Sequence, residues 1–349
     1  MDQIGVGIIG FGRIGAEHAR WLTRASGLRP VAVADPTPAR QTLARSRGLS
    51  VYDSETELLE NPAVGAVLVA TPTAMHHAHA MQALALGKHV MIEKPVALTL
   101  DQARELVDEA AKRSGVLSVF HNRRWDADYL TVRRAVQAGV LGKLINVESR
   151  LGQWSSCVGP AAREYHPNWR NEAAFGGGGL YDWGSHFVDQ LWRLVWPAKP
   201  VRVFAQLRGN VWSTDCDDFA RVCIDFDNGA VGMVEINTTT TRPLPRWHLD
   251  GAAGSADSPF SLKFDVSKWA EVDFTPAAGE AHVRRLERAP EGLTEIEIWQ
   301  QFGAAVRGQG HPAVDPRSVL CTMALLDAAR ESSRQGRAID VGELVEWVY

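Results

Sequence analysis

In the first third of the chain, short apolar runs alternate with segments whose apolar residues recur every three or four positions. The runs predict buried strands, and the periodic segments predict amphipathic helices. The predicted strands are Ile4–Ile9, Val31–Ala34, Ala66–Ala70, His89–Ile92 and Leu117–Phe120. The predicted helices are Arg13–Ala25, Thr37–Arg47, Met75–Leu86 and Leu100–Arg113. Strands separated by helices of this length indicate an α/β fold with a doubly wound parallel sheet.

After residue 121 the pattern changes to an alternation of apolar and polar positions, which predicts strands with one buried face. These strands are Leu144–Leu151, Val201–Leu207, Phe219–Phe226 and Ala230–Ile236. The Asp-Asn-Gly step at 227–229 predicts a hairpin turn between the last two. All but one of the 12 tryptophans also lie beyond residue 124. We therefore expect two domains, 1–121 and 122–349, the second containing an antiparallel sheet with one solvated or partner-covered face.

Composition agrees with a globular protein whose partner is a small molecule. The length of 349 residues suits about two domains of roughly 150 residues each. The net charge of −4 argues against nucleic acid or an anionic membrane as the partner. The N-terminus has neither the basic residues nor the apolar run of a signal peptide. The longest stretch without Asp, Glu, Lys or Arg, 61–87, contains two prolines and three histidines, so no membrane span is expected.

The 4 cysteines are scattered and form no Cys-x-x-Cys pair, so neither a zinc ribbon nor a redox motif is predicted. We expect them to be reduced in a cytoplasmic protein. His76, His77 and His79 lie close together, but no carboxylate or cysteine stands at ligand spacing. We therefore predict no metal site.

A Gly-x-Gly-x-x-Gly turn follows the first predicted strand and opens the first predicted helix. In that context the first glycine permits the tight turn, the second lets a pyrophosphate approach the backbone, and the third packs helix on strand. Asp35 ends the second strand, where a carboxylate accepts hydrogen bonds from the ribose hydroxyls of NAD and repels the 2′-phosphate of NADP. The sequence thus predicts an NAD site and makes NADP the less favoured cofactor. Its turn residues are Gly10, Phe11, Gly12, Arg13, Ile14 and Gly15.

Polar residues also follow the third and fourth predicted strands, at the sheet edge where ligands bind in such folds. Thr71, Pro72 and His76 follow the third strand, and Glu93-Lys94-Pro95 ends the fourth. We expect these side chains to line the cofactor cleft, with Lys94 as a hydrogen-bond donor or an acid–base group.

The segment 176–186 reads GGGGLYDWGSH and predicts a helix from Leu180. Asp182 and His186 stand four positions apart on this helix, so both side chains would project together. An acid beside a histidine orients the imidazole and raises its basicity, as a general base requires. The alternative is a helix-capping acid and an incidental histidine.

Four motifs in this order, GFGRIG, ATPTAMH, GKHVMIEKP and GGGGLYDWGSH, resemble the Gfo/Idh/MocA family, the relatives of glucose–fructose oxidoreductase and inositol dehydrogenase. The run HNRRWDADYLTVRRAVQAG is similar to the scyllo-inositol dehydrogenase branch. The resemblance implies a Rossmann domain followed by an α/β domain with a large open, mostly antiparallel sheet. It also implies catalytic roles for Lys94, Asp182 and His186, and substrate or cofactor contacts for Arg123, Trp169 and Arg170. Asp35-Pro36 departs from the Ser-Arg step of some NADP-using relatives.

The expected function is hydride transfer between nicotinamide and a secondary alcohol of a sugar, inositol or related polyol. In this scheme His186 takes the hydroxyl proton, Asp182 orients His186, and Lys94 stabilises developing charge on the oxygen. Two alternatives stay open: an NAD-dependent glycosidase that oxidises and eliminates, and a non-catalytic cofactor sensor. We expect a homodimer or homotetramer formed through the open sheet face. The substrate segment 152–175 carries no pattern that identifies the sugar.

Overall fold

The computed structural model describes residues 3–113, 115–157, 169–242, 244–258, 271–279 and 282–348. Its first sheet has six strands in the order β3-β2-β1-β4-β5-β6, and all neighbouring strands are parallel. Their bounds are β1 Ile4–Ile9, β2 Leu28–Ala34, β3 Ser50–Tyr52, β4 Ala66–Val69, β5 His89–Ile92 and β6 Leu117–Val119. The predicted parallel sheet is confirmed.

Helices cover both faces of this sheet. They are α1 Arg13–Leu22, α2 Pro38–Ser46, α3 Glu55–Glu60, α4 His76–Ala85 and α5 Leu100–Lys112. Successive strand residues point to opposite faces: Ile8 is buried with residues of α1 and α2, whereas Ile9 is buried with residues of α3, α4 and α5. The doubly wound arrangement follows from this alternation, and it leaves the carboxyl ends of all six strands at one edge.

The second sheet has nine strands in the order β14-β13-β12-β11-β7-β10-β9-β8-β15. Neighbours are antiparallel except for β7 and β10, which pair in parallel. The predicted hairpin is confirmed, with Gly229 at φ 84° in the turn between β9 and β10. The strands are β7 Leu144–Gly152, β8 Pro200–Arg208, β9 Phe219–Phe226, β10 Val231–Asn237, β11 Trp247–Gly251, β12 Gly254–Asp257, β13 Asp273–Pro276, β14 Arg284–Arg285 and β15 Ile339–Asp340.

The described residues also form four further α-helices: α6 Ala127–Gln137, α7 Ser185–Val195, α8 Glu295–Val306 and α9 Pro316–Gln335. Helix α8 begins with a capping box formed by Thr294 and Glu297. It then returns to the first sheet, where Trp299 and Phe302 share a core with Ile8 and Phe120. Helix α8 packs on α1 and β2, and α9 packs on both α5 and β8. Both helices therefore connect the first sheet with its helices α1–α5, here called the first unit, to the second sheet and the remaining elements, the second unit. The boundary at residue 121 and the oligomeric state stay predictions.

Across the ranges that the structure describes, no helix combines the length and apolar character needed to span a membrane.

Candidate active site

A cavity of about 1370 Å³ runs along the carboxyl edge of the first sheet and into the second unit. It brings together residues that are far apart in sequence because each follows a different strand or turn. The predicted residues on its wall are Gly10, Gly12, Arg13, Ile14, Asp35, Thr71, Pro72, His76, Glu93, Lys94, Arg123, Trp169, Arg170, Asp182 and His186. Two predicted residues, Phe11 and Gly15, lie behind the wall; the Phe11 ring is fully buried in the core.

The glycine turn has the geometry that a pyrophosphate site requires. Gly10 has φ +90°, a conformation that disfavours other residues. A Cβ atom on Gly15 would overlap the carbonyl oxygen of Gly10, whereas one on Gly12 would meet nothing within 4 Å. Gly12 therefore leaves open space at the N-terminus of α1, whose first turn has no side-chain cap. Its backbone N–H groups and the helix dipole suit a phosphate there.

Asp35 is held rigidly at the end of β2. The backbone N–H of Phe11 donates to Oδ2 at 2.6 Å, and that of Thr37 donates to Oδ1 at 2.8 Å. The residue is 7% exposed and lies on the cavity wall. This carboxylate stands one strand away from the glycine turn, as the ribose-binding acid of a dinucleotide site does.

His76 joins the segments that follow β4 and β5. Its Nδ1 lies 2.8 Å from the carbonyl oxygen of Pro95, and its Nε2 lies 2.9 Å from that of Thr71. Burial lowers the pKa of His76, against the opposing effect of these two carbonyl contacts. Within the described ranges, no group of three His, Cys, Asp or Glu side chains is placed to hold a metal ion.

Glu93 is anchored by a buried chain of hydrogen bonds that the sequence did not reveal. The indole N–H of Trp299 donates to Nδ1 of His18 at 2.9 Å, so the ring proton of His18 resides on Nε2 and is donated to Glu93 at 2.8 Å. The other carboxylate oxygen accepts from the backbone N–H of Lys94 at 3.1 Å. Burial raises the pKa of Glu93, but the His18 hydrogen bond and the Lys94 charge outweigh it and leave the pKa lowered.

Lys94 pairs with Asp182 across the two units. Its Nζ donates to the backbone oxygen of Asp182 at 2.8 Å and to Oδ1 at 3.3 Å. Arg170 lies 4.0 Å from the same Oδ1 atom. Burial lowers the pKa of Lys94. The Asp182 carboxylate opposes this shift and the Arg170 charge reinforces it, so the pKa stays below its ordinary value. An ammonium group with these partners is a positioned hydrogen-bond donor.

His186 lies nearby but is arranged differently from the prediction. Its Nδ1 is buried and has no hydrogen-bond partner among the described residues, so Asp182 does not orient the imidazole through that atom. Leu180–Gly184 forms a π-helical turn before α7, whose i→i+5 spacing differs from the α-helical spacing that the prediction assumed. Burial, together with the charges of Lys94 and Arg123, holds the pKa of His186 well below its usual range.

The predicted arginines and tryptophan line the same end of the cavity. The Arg123 guanidinium lies 4.5 Å from the centre of the Trp183 ring and 3.0 Å from a carboxylate oxygen of Asp126. The Arg170 guanidinium lies 4.2 Å from the ring of Trp169. These contacts combine cationic and aromatic groups on the wall beside His186.

Other residues on this wall were not predicted. Trp154, Ser155, Ser156 and Trp212 all line the cavity. They belong to turns that follow β7 and β8, where no hydrophobic period exists to identify them. Part of the unassigned substrate segment, 158–168, lies outside the described residues.

Comparison with known proteins agrees with this architecture. Residues 4–121 match the model of the Gfo/Idh/MocA oxidoreductase family with its NAD-binding Rossmann fold. Residues 129–257 match the model of a Gfo/Idh/MocA C-terminal domain.

Two curated relatives and one solved structure illustrate the similarity. The NADP⁺-dependent scyllo-inositol 2-dehydrogenase IolW of Bacillus subtilis is 27% identical over 226 residues, covering 65% of this chain and 61% of that protein. The NAD⁺-dependent scyllo-inositol 2-dehydrogenase of Bacillus subtilis is 30% identical over 246 residues, covering 68% of each. An NAD-binding protein from Listeria innocua has a TM-score of 0.86 at 28% identity, covering 98% of each chain. The chain therefore belongs to the Gfo/Idh/MocA oxidoreductase family, and its first unit is an NAD-binding Rossmann domain.

Proposed function

We propose that this protein is an NAD-dependent dehydrogenase that oxidises a secondary alcohol of a sugar, an inositol or a related polyol. The observation that carries the proposal is the convergence of Lys94, Asp182 and His186 on one cavity with the nucleotide turn. The two scyllo-inositol dehydrogenase relatives support the substrate class.

The residues divide the work as follows. Bound NAD would supply the hydride acceptor. His186 is neutral because its pKa is lowered, and its buried Nδ1 leaves Nε2 as the atom that takes the hydroxyl proton. The Lys94 ammonium donates a hydrogen bond to the same substrate oxygen and stabilises charge as the proton leaves. Asp182 orients Lys94 through two oxygens, a positioning role that differs from the histidine-orienting role predicted from the sequence.

Cofactor preference rests on Asp35. The similar proteins include both an NAD⁺ and an NADP⁺ enzyme, so family membership does not select between the two. A fixed carboxylate on the wall favours two free ribose hydroxyls and repels a 2′-phosphate.

The proposal is tested with inositols, aldoses and glycosides, following NADH absorbance. Turnover should appear with at least one polyol, and Lys94→Ala or His186→Gln should lower kcat by about 10²- to 10⁴-fold. His248→Gln, on the second sheet away from the cavity, is the matched control. Aglycone release without stoichiometric NADH would instead identify a glycosidase. NAD binding without turnover of any of these sugars would identify a sensor, and a kcat unaffected by either cavity variant would reject the assigned catalytic residues.

A further inference from the structure

The second unit contributes an aromatic wall to the cavity that the proposed hydride transfer does not use. Trp154 is 55% exposed, an unusual state for so large an apolar side chain, and it faces the cavity. Its ring centre lies 5.4 Å from that of Trp212 in an edge-to-face arrangement, and Trp212 also lines the cavity. A ligand with an apolar face would bury this surface.

Both tryptophans are held by the surrounding backbone. The backbone at Trp154 forms an antiparallel bridge with Thr239, whereas the indole N–H of Trp212 itself donates to the carbonyl oxygen of Thr238 at 2.8 Å. The backbone N–H of Trp212 donates to Asp218 at 3.0 Å, and its carbonyl oxygen accepts from Asn171 at 3.3 Å. Because the indole N–H of Trp212 is already bonded to the protein, this ring contributes apolar surface to the cavity. A fixed aromatic ring such as that of Trp212 binds with a smaller entropic cost of ordering.

Hydroxyl groups border the aromatic surface. Ser155 and Ser156 follow Trp154 directly, line the cavity and are partly exposed. A pyranose ring matches this combination, because its C–H face is complementary to the negative face of an indole and its hydroxyls bond at the edge. An aromatic ring would stack on the tryptophans but leave the serine hydroxyls without partners from the ligand.

We propose that Trp154, Trp212, Ser155 and Ser156 form an aromatic subsite for a second sugar ring, so that the substrate is a disaccharide or another glycoside whose aglycone is a sugar. One ring reacts beside Lys94 and His186, and the other stacks on Trp154. This inference rests on the proposed function, since it concerns the substrate of the same cavity.

The test compares glucose with cellobiose, maltose and lactose as substrates of the whole protein. The wild type should have a higher kcat/KM for at least one disaccharide than for glucose. Trp154→Leu should lower the ratio of disaccharide to glucose kcat/KM by about 2- to 10-fold, the value of one stacking contact. Trp154→Phe should retain most of the ratio, because it keeps an aromatic face. Trp196→Phe, a partly buried tryptophan away from the cavity, should leave the ratio unchanged.

Calorimetric titration of the NADH-loaded protein separates failure of the subsite from failure of the dehydrogenase proposal. If Trp154→Leu weakens disaccharide binding by about 2- to 10-fold, the subsite is supported even when no sugar reduces NAD. The absence of NAD reduction would then reject the proposed function alone. Three results overturn the subsite: no disaccharide binding to the wild type, an equal loss for glucose and disaccharide in Trp154→Leu, and tighter binding of phenyl glucoside than of any disaccharide.

Discussion

Asp182 accepts hydrogen bonds from the lysine of the site, whereas the sequence predicts that it orients the histidine, and the two roles are distinguished by measurement. Asp182→Asn removes the carboxylate charge that faces the Lys94 ammonium. If Asp182 acts through Lys94, combining Asp182→Asn with Lys94→Ala should lower kcat far less than the product of the single effects. Combining Asp182→Asn with His186→Gln should lower kcat by nearly the product of the effects of these two single substitutions. Strong coupling to His186 instead would restore the pairing expected from the sequence.

The state of His186 predicts the pH profile. Only the neutral imidazole can accept a proton, and its pKa in the folded protein is lowered by burial and by Lys94 and Arg123. As pH falls through about 6.5, the ordinary pKa of histidine, kcat/KM for alcohol oxidation should stay level. Its acid limb should appear only at lower pH. Arg123→Gln removes one positive charge and should move that limb to higher pH. A wild-type limb at or above the ordinary value would reject His186 as the base.

Asp35 predicts the choice of cofactor. A carboxylate about 4 Å from a 2′-phosphate costs on the order of 1–4 kcal/mol at the effective dielectrics of water and protein surface. This amounts to about one to three decades in kcat/KM in favour of NAD. Asp35→Ser should narrow the difference in kcat/KM between NAD and NADP. It should also raise KM for NAD, because one hydroxyl oxygen cannot replace the two carboxylate oxygens that accept from Phe11 and Thr37. Equal or better kcat/KM with NADP in the wild type would contradict the assignment.

Site residues could be predicted where they follow a secondary-structure element that the sequence pattern identifies. Asp35, Thr71 and Lys94 follow strands with clear apolar patterns, and parallel strands bring their carboxyl ends to one edge. The π-helical turn at Leu180–Gly184 was not predictable, since the apolar stripe through Trp183 and Phe187 has the same spacing as in a regular α-helix. Strand β3 and helix α3 are too short to show a period.

The glycine run before this turn is predicted to be essential for its shape. Gly178 has φ +101°, and a Cβ there would overlap the carboxylate of Asp217, which accepts from the Leu180 N–H at 2.7 Å. Gly178→Ala should therefore lower the melting temperature and also reduce kcat, because the turn carries Asp182. Gly139 also has a positive φ, but a Cβ there would lie in open space. Gly139→Ala should therefore lower the free energy of unfolding only by the cost of an L-residue at positive φ, about 1–2 kcal/mol. Equal effects of the two variants on kcat would show that the turn tolerates displacement.

The contacts that unite the two sheets could not be predicted from local patterns. Trp299 and His18 are 281 positions apart, and nothing in the sequence around either residue indicates the other. Their hydrogen bond joins α8 to α1, and a second hydrogen bond joins His18 to Glu93 at the cavity wall. The C-terminal part of the chain thus contributes to the nucleotide-binding unit as well as to the second sheet.

Trp299→Phe tests whether this long-range contact affects the site. The substitution keeps an aromatic ring but removes the indole N–H, so Nδ1 of His18 loses its donor and the proton is no longer confined to Nε2. A buried group left without its partner costs about 1–3 kcal/mol, which a denaturant titration would measure. Because His18 helps keep Glu93 ionised and Glu93 accepts from the Lys94 backbone, we also expect weaker NADH binding and a lower kcat. Phe302→Leu is the matched control: it lies on the same helix and in the same core, and it should reduce stability through lost packing without changing either parameter. If the two variants lose stability alike and neither alters NADH binding or kcat, α8 only packs against the first unit, and the hydrogen-bond chain has no part in catalysis.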